Sequence, residues 1–213
     1  MMKEKFSEKL LFAFGRGIAQ GKMYRDIILR EYPALGSYTG KYLQSQILHA
    51  CTDFAITRHL PKIHHLRVTE KRNVRNYSFL QIETEHFYMT TSHVRRCTSV
   101  PRYAHFRCVR AMSNQPFLFD DLEEQRPKGK PYLILVHGLV EKKQKGEVIY
   151  EKLFGGIGMP CADMPTRWND FMYLTDYIGL EPHIPEEIID PLDPGFMKFK
   201  KNLMGNVDNN DSA

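Results

Sequence analysis

The sequence predicts an α+β fold: an N-terminal helical segment packed on a mostly antiparallel sheet, with a helical, Pro-rich C-terminal region. Three observations predict it. Apolar residues recur every three or four positions through residues 1–60. Between residues 62 and 140 the period falls to two, the repeat of a strand with one buried face. Pro182, Pro185, Pro191 and Pro194 then interrupt regular structure near the C-terminus.

The helical segment reads as three helices. Ser7 caps the first, in which Phe6, Leu10, Phe14 and Ile18 share a face, and Gly21 ends it. Gly15 and Gly17 cost this helix about 1 kcal/mol each relative to Ala, so this end either frays or packs unusually close to a neighbour. The second helix runs from Met23 to Tyr32 and is broken by Pro33 and Gly36. Ser37 caps the third, whose apolar stripe is Leu43, Ile47, Ala50, Cys51 and Phe54, and Pro61 closes the segment.

The sheet elements follow. Residues 78–83 and 86–91 alternate as two strands of a hairpin turning at Thr84 and Glu85. Tyr103 to Val109 alternates again, with Ala104, Phe106 and Cys108 inward and Tyr103, His105 and Arg107 outward. Tyr132 to Val136 is apolar throughout, as a central strand covered on both faces requires. Gly146 to Phe154 reads as a strand or short helix, and Phe154 to Pro160 as a flexible Gly-rich turn. Thr166 caps a helix carrying Trp168, Phe171, Met172 and Tyr177, ended by Gly179. The resulting organisation is a helical segment over 1–60, an α+β domain over 61–204 and a disordered polar tail over 205–213.

Composition narrows the class. The 213 residues, 42% hydrophobic and 12% aromatic, suit a folded chain able to bury a substantial core. No apolar run approaches the ~20 residues that span a bilayer. The stretch Leu10–Phe14 is short for a signal peptide and has no small-residue cleavage site. Cys51, Cys97, Cys108 and Cys161 form no C-x-x-C pair, which fits reduced thiols. A cytoplasmic protein is expected, with no membrane partner.

Charge supplies the functional expectation. Residues 1–112 hold 19 Lys and Arg against 8 Asp and Glu, whereas residues 113–213 hold 11 against 17. Five arginines fall between Arg95 and Arg110 with no acidic residue among them. Gathered like charges repel, and a polyanion relieves the repulsion while shedding its own counterions. A nucleic-acid partner is the leading expectation, for a regulator or component of a prokaryotic nucleic-acid-targeting system. Arg95, Arg96, Arg102, Arg107 and Arg110 would neutralise phosphates. Tyr103 would stack on a base, from a basic, aromatic-bearing sheet face. The spacing of the second and third helices also admits a helix-turn-helix, with Lys41 and Gln44 as second-line contacts. The rival reading of the asymmetry is internal pairing of these arginines with the acidic C-terminal half, or a non-catalytic interaction module that meets a protein partner or a second copy of itself.

Two chemistries compete with passive binding. A Mg²⁺-dependent nuclease would need clustered carboxylates, which Glu83, Glu85, Asp120 and Asp121 could supply beside Lys130. No cofactor is expected otherwise. A zinc site could join His93-x3-Cys97 to His105-x2-Cys108, although a strand places His105 and Cys108 on opposite faces. The strand Leu133 to Gly138 resembles the His-Gly oxyanion strand of α/β-hydrolases, but no Gly-x-Ser-x-Gly elbow follows it, and that reading is rejected. Gly155, Gly156 and Gly158 lack the Lys-Ser/Thr of a phosphate-binding loop.

Overall fold

The computed structural model describes residues 4, 6–37, 40–60, 66–72, 78–114, 130–144, 147–164, 166–178 and 194–208. Two long helices come first, α1 (Glu8–Glu31) and α2 (Lys41–His59), joined through a 3-10 turn over Pro33–Gly36. Strands β1 (Arg67–Arg72), β2 (Ser78–Glu83) and β3 (Tyr88–His93) follow, then the short helix α3 (His105–Ala111) and strands β4 (Tyr132–Gln144), β5 (Glu147–Pro160) and β6 (Trp168–Tyr173). A single helical turn α4 (Thr175–Ile178) and helix α5 (Pro194–Asp208) complete the described chain. The arrangement is α+β, as the sequence predicts.

The six strands form one sheet in chain order, with β1 and β6 at its edges. Neighbours are antiparallel except β3 and β4, which run parallel and are bridged by the crossover that contains α3. Side chains alternate across a strand, so β4 serves two cores. Leu133 and Leu135 pack with Phe14, Ile18, Ile56 and Met89 beneath α1 and α2. Tyr132, Ile134 and Val136 pack with Tyr88, Val94 and Ala111 on the α3 side. That double burial is why the segment 132–136 is apolar without alternation.

Helix α1 runs unbroken through Gly21 and joins the two helices expected from the sequence. The glycine marks a crossing, not an end. A Cβ on Gly21 would lie 2.5 Å from Thr52 Cα, and one on Gly17 would lie 2.6 Å from Ile56 Cγ1, so both positions let α1 sit directly on α2. Ser7 caps α1 by accepting from the Leu10 amide at 3.3 Å. Ser37 does not cap α2. It accepts from the Gly40 amide at 3.1 Å and so shapes the turn from which α2 starts at Lys41.

Three further segments depart from expectation. Residues 105–111 are helix, not strand: the helix carries Arg107 to Ser92 and Arg110 to Tyr88 on β3 and buries Ala111. Phe154 to Pro160 is the second half of β5 rather than a turn. Two of its three glycines are covered by aromatic rings of the next strand: Phe171 lies over Gly156 and Trp168 over Gly158. Trp168 to Tyr173 is therefore edge strand β6, and only Thr175–Ile178 is helical. Finally, α5 returns to the helical layer, where Phe196 stacks on Tyr24 at 4.2 Å and Phe199 on Phe54 at 4.4 Å between centroids. The expected tail begins inside α5, since residues 205–208 are helical.

Candidate functional site

The sheet's two faces carry different chemistry. On the α3 side, Arg107 ties down the loop that carries the arginines. Its Nη1 donates to the Arg102 carbonyl at 2.9 Å and its Nη2 to Ser92 Oγ at 3.2 Å. These bonds tie the end of β3 to the start of α3 and close residues 92–107 into one loop. Arg107 is thus a positioning residue, half-buried, and its guanidinium is committed to the fold. One helical turn on, Arg110 lies 3.6 Å above the Tyr88 ring, a cation–π contact that leaves the residue exposed. Burial pushes the Tyr88 hydroxyl up to about 12, so the ring beneath Arg110 is neutral.

Arg95, Arg96 and Arg102 are exposed on the same loop, and Tyr103 beside them is 74% exposed. Among the described residues, none of the five arginines lies within ion-pair distance of a carboxylate. The internal pairing that would have consumed the charge asymmetry is not seen there. Pro101, Arg102, Tyr103, Arg107 and Cys108 line a shallow cleft at the root of this loop. The surface is helix and loop, not the sheet face expected from the sequence.

The remaining candidates fall elsewhere. Gln44 is occupied by the fold: its Oε1 accepts from Arg25 Nη2 at 3.2 Å and its Nε2 donates to the Leu35 carbonyl at 2.9 Å. Lys41 is exposed at the first position of α2, on the helical layer and away from α3. Glu83 accepts from Lys130 Nζ at 2.8 Å, and that bond holds its carboxylate below the usual range. Glu85 is exposed in the turn after β2. Asp120 and Asp121 lie outside the described residues, so the nuclease quartet is not assembled by the residues in view.

The four expected zinc ligands do not converge. Cys97 Sγ approaches the Gly155 carbonyl at 3.8 Å, and His105 is exposed at the start of α3. His93 points instead to the helical side of the sheet, where its ring meets His137 with centroids 5.8 Å apart.

There the sheet carries a polar cluster that the sequence reading did not assemble. His49 and Asp53 lie one turn apart on α2, and His49 Nδ1 stands 3.1 Å from His137 Nε2. His49 Nε2 stands 3.7 Å from Asp53 Oδ2. His137 is fully buried and His49 nearly so, whereas the Asp53 side chain keeps 19% exposure although its Oδ1 is sealed. Burial holds both His137 and His93 below the ordinary imidazole range, His93 down to about 4, with nearby His49 adding to both shifts. Burial pushes the Asp53 carboxyl up, partly offset by His49. The helical spacing His49-x3-Asp53 was the available signal; the strand register that brings His137 beneath it was not.

No protein-family model, curated protein or solved structure matches this chain. Among the described residues no helix is long and apolar enough to cross a membrane.

Proposed function

We propose that this protein binds single-stranded nucleic acid on the loop and helix between β3 and β4. Arg95, Arg96, Arg102 and Arg110 contact phosphates, and Tyr103 stacks on a base. The observation that carries this reading is the absence, among the described residues, of any carboxylate partner for these exposed guanidinium groups. Cations held this way gain by meeting phosphates, and the released counterions make the gain salt-dependent. An exposed tyrosine beside them suits an unpaired base, whose face is open to stacking. A seven-residue α3 offers little length to lie along a major groove, which favours a single strand over a duplex.

Charge reversal tests the reading. Arg95→Glu with Arg102→Glu weakens binding to a labelled oligonucleotide by about tenfold or more, equivalent to ~1.4 kcal/mol, and flattens its salt dependence. Unchanged affinity and slope in a folded variant overturn the assignment.

A further inference from the structure

We infer that His49, Asp53 and His137 form a three-ligand binding site for one zinc-class divalent cation. The site lies on the helical side of the sheet, across β3 and β4 from the arginine surface, and is independent of the nucleic-acid reading.

The donors have the right chemistry, and the histidine pair has the right separation. Imidazole nitrogen and carboxylate oxygen are the ligands of borderline cations such as Zn²⁺, where bonds of about 2.0–2.1 Å leave tetrahedral donors ~3.3 Å apart. His49 Nδ1 and His137 Nε2 are 3.1 Å apart. Two imidazole lone pairs cannot face each other at that distance without a proton or a cation between them. Each of the three residues offers one donor atom, and the three donors lie within 4.8 Å of one another. Among the described residues no other group of His, Cys, Asp and Glu does this.

The rival is a hydrogen bond between His49 Nδ1 and His137 Nε2, with Asp53 Oδ2 3.7 Å from the other His49 nitrogen, and the metal titration below separates the two. Asp53 Oδ1 and His137 Nδ1 are both buried without a hydrogen-bond partner, as is Thr91 Oγ1, two residues before His93. Thr91 and the Leu80 backbone both act on the Asp53 carboxyl, and His137 Nδ1 lies on the far side of its ring from Nε2, so of these atoms only Asp53 Oδ1 could meet the ion.

The fold explains what the ion would do. His49 and Asp53 project from one face of α2, while His93 and His137 are cross-strand partners in the parallel pair. One cation would therefore pin the helical layer to the middle of the sheet. With His49 and His137 almost wholly buried, the ion's role would be to hold the two layers together.

The test uses the whole chain, stripped with a chelator, dialysed and titrated with Zn²⁺ and Co²⁺. One ion binds per chain, melting shifts upward, and Co²⁺ gives the visible absorption of a tetrahedral nitrogen–oxygen site. Asp53→Asn weakens Co²⁺ binding by an order of magnitude or more, and His137→Gln removes the band. Cys97→Ser and His105→Ala, at two of the positions expected from the sequence, retain it. If the histidine variant does not fold, the wild-type spectrum and Asp53→Asn decide the matter. Failure of the wild type to bind either ion stoichiometrically, or a normal spectrum in Asp53→Asn, overturns the site.

Discussion

His93 and His137 occupy matched positions on the parallel pair β3–β4, and their rings meet edge to face with centroids 5.8 Å apart. Both therefore aim at α2 and His49, on the sheet face that also carries Met89 and Leu135. Apolar surroundings disfavour a charged imidazole, which is why both rings are held neutral.

Acid should destabilise the chelator-treated protein through these two rings. Unfolded histidines titrate near 6.5, whereas His93 folds with a value of about 4 and His137 well below its ordinary one. Between those limits the unfolded state binds more protons, so stability falls as pH drops through that window. Asp53, whose carboxyl is pushed up, acts in the opposite sense at the lower end of the range. Melting curves from pH 7 to pH 4.5 should move steadily downward, and His93→Gln should flatten the trend. A melting temperature independent of pH would contradict it.

Gly21→Ala should destabilise despite alanine's better helix propensity. The new Cβ meets Thr52 Cα at 2.5 Å, which is backbone-bearing and cannot rotate aside. Overpacking of this kind costs ~1–3 kcal/mol, more than the ~1 kcal/mol that alanine contributes to a helix. Gly36→Ala, where nothing lies within 4 Å of the added carbon, is the control and should melt close to wild type.

Asn114 is the clamp behind α3. Its Nδ2 donates to the Tyr132 carbonyl at 2.8 Å and the Pro160 carbonyl at 3.0 Å, and its Oδ1 accepts from the Tyr132 amide at 2.8 Å. Asn114→Ala strands an amide and two carbonyls in a buried position, at about 1–3 kcal/mol for the donor alone. Denaturant unfolding should show a lower midpoint with an unchanged slope. Hydrogen exchange at the Tyr132 amide should accelerate.

Gln44→Ala separates the two nucleic-acid readings. Since Gln44 bridges Arg25 and the Leu35 carbonyl, its loss should lower stability by roughly 1 kcal/mol. Oligonucleotide affinity should stay at the wild-type value. A marked loss of affinity with stability intact would restore the helix-turn-helix reading.

Much of the fold was legible because its physics is local. The Ser7 cap, the hairpin of β2 and β3 and the doubly buried run 132–136 each carry a short-range pattern. Gly17 left fraying and close approach both open; the structure has close approach, against Ile56. The failures are places where tertiary contacts override local signals. Gly156 and Gly158 look like a turn until Phe171 and Trp168 are seen lying over them. Residues 103–109 alternate like a strand, yet α3 forms because Arg107 and Arg110 reach the sheet from one helical face. The five arginines were visible as a run of like charge in the sequence. The commitment of Arg107 to Ser92 was not, and neither was the histidine cluster, whose members come from α2, β3 and β4.

The central claim is that the exposed arginines near residue 100 dock a polyphosphate chain. Its most direct test is the anisotropy of a fluorescent single-stranded oligonucleotide titrated with the full chain at several salt concentrations. The account predicts saturable binding whose logarithmic affinity falls linearly with the logarithm of salt, by about 0.7 per phosphate contacted, and a shallower slope in Arg95→Glu with Arg102→Glu. No saturable binding at low salt, or a slope that the double substitution leaves unchanged, would contradict it.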